Sequence, residues 1–242
     1  MTTVACADPA GAGIRERVLR ALDAVIDPEL DEPITTLRFV SSCSVTSDGD
    51  VEIVLRLPTP QCAPNFAFLM AADASNAVRR VPGVGRVTVT LDDHYTAEEI
   101  NAAVREGQGF TGAFPGETDD DELGALRKLF QRKALTARQA VLCEAMLAAG
   151  ADAGRVASVL VADLPDTAAA RRCLALREQL GIDTGPCARA FVLPDGGPLE
   201  AGQVQRWLRL ARLVRTSLEA NGGICRSLLQ VRHDLASESE EN

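Results

Sequence analysis

The sequence predicts an α+β N-terminal domain, a small sheet carrying helices, followed by a mainly α-helical C-terminal domain. Three observations predict it. Short runs with two-residue alternation occur before residue 92 and nowhere convincingly after it. Helical periodicity flanks those runs and then dominates the second half. Between the halves lies "GQGFTGAFPGETDDDE", rich in glycine and acid and without periodicity, which marks a connection.

Each element follows from local pattern. Ile14, Val18, Leu22 and Val25 recur at helical spacing, and "IDPELDEPI" then breaks the helix with two prolines. "LRFVSSCSV" and "VEIVLRL" read as strands around the turn "TSDGD". In the second, Val51, Ile53, Leu55 and Leu57 alternate with Glu52 and Arg56, so one face is buried. The corner "LPTPQCAPNF" leads into a helix marked by Phe66, Leu69, Met70, Ala77 and Val81. "PGVG" turns the chain into "RVTVTL", a third strand with Val87, Val89 and Leu91 on one face. Thr96 to Glu99, "TAEE", has the form of a capping box opening a short helix. The order is α-β-β-α-β-α, an antiparallel or mixed sheet with helices on one face.

In the second half, "TARQ" at 136–139 has the form of another capping box, and its helix ends at Gly150. "DTAAARRCLALREQLG" is a capped helix stopped by Gly181. "AFVLPDGGPL" holds an extended piece and a turn. A long helix closes at Asn221-Gly222, and "ICRSLLQVRH" forms a last one. The expected division is a flexible N-terminus at 1–13, an α+β domain at 14–108, a linker at 109–121, a helical domain at 122–234 and a disordered tail at 235–242.

Composition narrows function. The chain is 46% hydrophobic and 24% charged, ordinary for a globular protein. No apolar run approaches the roughly 20 residues that span a bilayer. The N-terminus has neither a basic nor an apolar region of a signal peptide, so the expected location is the cytoplasm, with no membrane partner. Residues 1–121 carry 9 basic and 20 acidic side chains, which argues against a nucleic-acid partner for that half. Seven cysteines at 6, 43, 62, 143, 173, 187 and 225, with no CxxC pair, do not form a disulfide framework or a four-cysteine zinc site. Only His94 and His233 are present, so a histidine cage is excluded.

Cys62 is the leading candidate for chemistry. It stands among Pro58, Pro60 and Pro64 where a strand gives way to a helix. The positive end of a helix favours thiolate. Thr59 can cap or donate to the sulfur, and Asn65 can cap the following helix. His94, with Asp92 or Asp93, follows the third strand, and sulfur, imidazole and carboxylate together suit iron or zinc. Asp27 and Glu29 are a possible carboxylate pair, or loop caps. No histidine adjoins Cys62 in sequence to serve as a base, so a thiol enzyme is not expected. Arg206, Arg209, Arg212 and Arg215 recur every three residues as a slanted stripe for an acidic partner, or as a solvated face.

Four separated elements resemble the MIP18 family, also called DUF59, which includes SufT-like and PaaD-like proteins. They are Asp27-Pro28-Glu29, an apolar strand pair, Thr59-Pro60 with Cys62 before a helix, and Pro82-Gly83-Val84 before the last strand. The resemblance covers about residues 14–106. Pro58, Gln61 and Ala63 replace the family's threonine, glycine and proline around the cysteine, and its Asp-Leu-Gly reads Thr36-Leu37-Arg38. These features are similar to a divergent, actinobacterial-type branch associated with multicomponent diiron monooxygenases, here with an extra helical domain. The resemblance implies a non-enzymatic homodimer that matures a client metalloprotein, an iron–sulfur or diiron enzyme component. A transient iron or iron–sulfur cluster would be handled at the cysteine corresponding to Cys62. It equally allows an adaptor that assists assembly of a partner complex without binding metal.

Overall fold

The computed structural model describes residues 9–116 and 120–240, and side chains from 13 to 116 and 120 to 232. By contacts the chain falls into two units, one of residues 1–124 with 221–242 and the other of residues 125–220.

The first unit opens with α1 (Pro9–Leu22), which buries Val18 and Leu22, and then β1 (Val40–Val45) and β2 (Val51–Arg56). Helix α2 (Pro64–Arg79) leads to β3 (Val87–Asp92), α3 (Ala97–Glu106) and the single turn α4 (Phe110–Ala113). β2 is central, antiparallel to β1 and parallel to β3. The expected mixed sheet with a buried face is present. Val51, Ile53, Leu55, Val87, Val89 and Leu91 point into the core, while Glu52, Thr88 and Thr90 face outward. A parallel pair needs a crossover, which α2 supplies.

Two turns set the register of that pair. The Gly85 N–H donates to Gly49 O (2.8 Å), and the Arg86 N–H donates to Asp50 Oδ1 (2.7 Å). Gly49 adopts φ 85°, and a Cβ there would stand 2.5 Å from Gly83 O. The start of β2 is thereby pinned to the start of β3, and their far ends lie side by side.

The second unit contains most of α5 (Asp120–Ala148), then α6 (Ala153–Ser158), α7 (Ala168–Gln179) and the first part of α8 (Val204–Glu240). Its core gathers Leu135, Cys143, Val156, Cys173, Leu176, Phe191 and Trp207. Arg177, 1% exposed, donates to the carbonyls of Arg189 (2.8 Å), Ala190 (3.0 Å) and Asp183. Thr167 caps α7 by accepting from the Ala170 N–H, as its sequence implies. The "FVLPDGG" piece pairs Val192 with Pro198 around a turn.

Several expectations about helix ends are corrected. Thr136 and Gln139 lie inside α5 rather than at its start. The Thr136 hydroxyl donates to Arg132 O, and the fully buried Gln139 exchanges two hydrogen bonds with the Val192 backbone. α8 does not close at Asn221-Gly222 but runs through it. Gly222 lies beside Glu32, where a Cβ would stand 2.6 Å from Glu32 Oε1 and displace that side chain. The chain is helical as far as Glu240, across most of the stretch expected as a tail. At the other end, part of the expected flexible 1–13 segment is helical from Pro9. Residues 1–8, 117–119 and 241–242, which include parts of the expected termini and linker, lie outside the described residues.

Candidate functional site at the Cys62 corner

Because β2 and β3 are parallel, Arg56 and Asp92 are register partners, and the segments leaving both strands are neighbours. One carries Cys62, the other Asp93 and His94. Crevices outside the carboxyl ends of parallel strands are the usual place for sites in such sheets.

The corner has few donors of its own, because Pro58, Pro60 and Pro64 lack N–H groups. Its carbonyls are satisfied mostly from elsewhere. Arg232 Nη1 donates to Leu57 O (3.1 Å) and Pro58 O (3.3 Å). The Cys62 N–H donates to Thr59 O (3.3 Å), and the Tyr95 N–H to Pro60 O (3.1 Å). The carbonyl of Cys62 lies 2.7 Å from His94 Nε2. Ala63 O receives the N–H groups of Phe66 and Ala67, and Pro64 occupies the first turn of α2, where no N–H is needed. The loop is braced on all sides and presents a half-buried thiol, with Thr59 Oγ1 3.6 Å from Cys62 Sγ.

His94 is 8% exposed. The Thr96 N–H donates to its Nδ1 (3.3 Å), which fixes Nδ1 as acceptor and Nε2 as the nitrogen donating to Cys62 O. Its lone pair thus faces Thr96, whose Oγ1 is also 3.1 Å away. The structure gives His94 the part of a brace. Thr96 does not close the expected capping box, because no side-chain cap bond forms there.

The three aspartates are also committed. Asp92 accepts from Arg56 Nη2 (2.7 Å), and Asp93, at φ 52°, pairs with Arg232. Asp27 caps its loop by accepting from the N–H groups of Glu29 (2.8 Å) and Leu30 (2.9 Å). Glu29 is exposed. Asn65 Oδ1 accepts from the Phe66 N–H (2.9 Å) rather than capping α2, whose N-cap is Ala63. Among the described residues, no group of three or more His, Cys, Asp or Glu side chains could hold a metal ion. Of the arginine stripe, Arg212 and Arg215 each donate to Glu144 (2.5 Å), while Arg206 and Arg209 are exposed.

Burial raises the carboxyl of Asp27 from 3.8 to about 6, against the lowering effect of the Leu30 and Glu29 N–H groups. A carboxyl raised on folding contributes stability that is fully present below its unfolded value and lost as pH climbs through its folded value. Asp27 therefore weakens the fold as pH rises from about 4 to 6. Asp27→Asn, which keeps an accepting oxygen, is expected to flatten this dependence and to gain at most about 3 kcal/mol at pH 7. Urea midpoints of both proteins between pH 4 and 7 check it, and parallel curves would refute it.

Sequence reasoning missed Arg232 and gave Cys225 no part at this corner. Burial pushes the Cys225 thiol up to about 11, with further raising from the charges of Asp27, Cys62 and Glu29. The signal was the recurrence of Gly222, Cys225, Leu229 and Arg232 on one helical face, hidden by reading Asn221-Gly222 as a stop.

A family model described as iron-sulfur cluster assembly protein matches residues 15–90. An uncharacterized protein of Methanocaldococcus jannaschii is 33% identical over 92 residues, covering 38% of this chain and 95% of that protein. The iron-sulfur cluster carrier protein of Mycobacterium leprae is 33% identical over 85 residues, 35% of this chain and 22% of that protein. Its Mycobacterium tuberculosis counterpart is 39% identical over 72 residues, 30% and 18% respectively. The chain thus spans about a fifth of the length of these carriers. A crystal structure of a domain of unknown function, DUF59, from Bacillus anthracis is 20% identical with a TM-score of 0.32, covering 40% of this chain and 93% of that one. The near-complete coverage of the archaeal relative and the family match together show that this chain, through the domain bearing Cys62, belongs to the MIP18 (DUF59) family of iron-sulfur cluster assembly proteins.

Proposed function

We propose that the protein helps assemble an iron or iron–sulfur centre in a client metalloprotein, with the Cys62 thiolate as the point of attachment. The observation that carries this reading is the braced corner, where His94, Tyr95 and Arg232 hold a donor-poor loop around one half-buried thiol. Iron or the cluster is cargo. One thiol supplies one ligand, so the remaining ligands come from a second copy of the chain or from the client. Incomplete ligation suits transfer, because the cargo leaves when a fuller ligand set is offered. The same logic favours a non-enzymatic role. A diiron monooxygenase component is the client class we favour, with the exposed Arg206 and Arg209 meeting its acidic surface. A homodimer in the cytoplasm is the expected working form.

Iron binding under anaerobic conditions, with and without sulfide, tests the reading on wild type and Cys62→Ala of equal helicity. The expected result is binding by wild type and loss of most of it in the variant. Equal binding by both, or none by either, would sink the carrier role. It would leave the adaptor reading, in which Cys62 is structural and the protein assists assembly of a partner complex.

A further inference from the structure

The matched family region ends at residue 90, yet the Cys62 corner is completed by residues far beyond it. The stretch 221–232 of α8 belongs to the first unit. One face of it is committed there throughout. Gly222 lies against Glu32, Arg226 pairs with Glu32, and Leu229 is buried in the core at 4% exposure. Cys225 packs on the same core, as Cys62 does. Arg232 reaches the carbonyls of Leu57 and Pro58 and the carboxylate of Asp93. Ile224, Leu228 and Val231 point outward.

We propose that this stretch is a strap that sets the Cys62 loop, with Arg232 as its positioning residue. The geometry forms a closed circuit. Arg232 holds the start of the loop at Leu57 and Pro58 and holds Asp93 at the end of β3. Asp93 directly precedes His94, and His94 grips the carbonyl of Cys62. One guanidinium thus fixes both sides of the corner. Arginine suits the task because its planar fork offers five donors in fixed directions, which a lysine ammonium does not. Asp93 sits in the left-handed region without being glycine, a conformation held by its surroundings, and Arg232 is part of what holds it.

The inference rests on the proposed function only in taking Cys62 as the working thiol. Its test uses no iron. The full-length protein is treated with iodoacetamide, and modification of Cys62 and Cys43 is followed separately by peptide mass spectrometry. Cys43, on β1 of the same unit, reports general loosening. Arg232→Ala is expected to raise the Cys62 rate about fivefold or more, the effect of losing hydrogen bonds to a charged group at a partly exposed site. The Cys43 rate stays unchanged. Asp93→Asn, which leaves the Arg232 side chain in place, moves Cys62 the same way by less, and Arg232→Lys falls between wild type and alanine. An unchanged Cys62 rate overturns the proposal, and so does a parallel rise at Cys43, which would make Arg232 a general stabiliser. If Cys62 responds as expected but wild type binds no iron, the positioning role stands and the carrier role falls.

Discussion

Leu229→Glu destabilises the first unit by about 3–5 kcal/mol, because it loses a buried leucine and leaves a carboxylate without a partner. The leucine is 4% exposed and belongs to the same core cluster as β2 and β3. The new carboxylate is desolvated in an apolar cluster, and that cost adds to the lost burial of the leucine. Hydrogen exchange resolves where the effect falls. Amides of β2 exchange faster, while those of residues 135–143, in the core of the second unit, keep their protection. Equal protection of β2 in the variant and wild type would mean that the end of α8 adds nothing to the first unit.

Gly49→Val costs about 3–4 kcal/mol, combining a left-handed backbone that a branched residue resists with a direct clash. A Cβ at this position meets Gly83 O at 2.5 Å, and neither backbone can yield without breaking the Gly85 N–H to Gly49 O bond. Because this contact pins the starts of β2 and β3, the variant also disturbs the far ends, where Arg56 and Asp92 pair. Denaturant unfolding measures the loss, and a change within 1 kcal/mol would show that the turns are free to part.

The small sheet and its buried face were legible because alternation in "VEIVLRL" and "RVTVTL" is a local signal. The parallel pairing of β2 and β3 was not, since it depends on α2 crossing over the sheet. The strand-to-helix corner that carries Cys62 was legible from its prolines. The circuit around it was not, because Arg232 comes from 174 and 175 residues along the chain from the carbonyls it holds. His94 stood out as a ligand for its chemistry, but only the fold shows Thr96 facing its lone pair. Gly222 misled for a physical reason, since glycine serves both to end a helix and to let one lie close to a neighbour. Arg38 shows the reverse case. It adopts φ 63°, a left-handed backbone held without glycine, and nothing in its own side chain announces that conformation.

The strap also fixes an order of events during synthesis. Everything in the Cys62 corner up to Tyr95 leaves the ribosome well before Leu229 and Arg232 are made. At roughly 5–20 residues per second, that interval is on the order of ten seconds. For that time the nascent domain has an empty apolar seat where Leu229 will lodge and an unlatched thiol loop. A newborn chain therefore has only His94 and Tyr95 to hold the corner that the finished molecule also ties from Arg232.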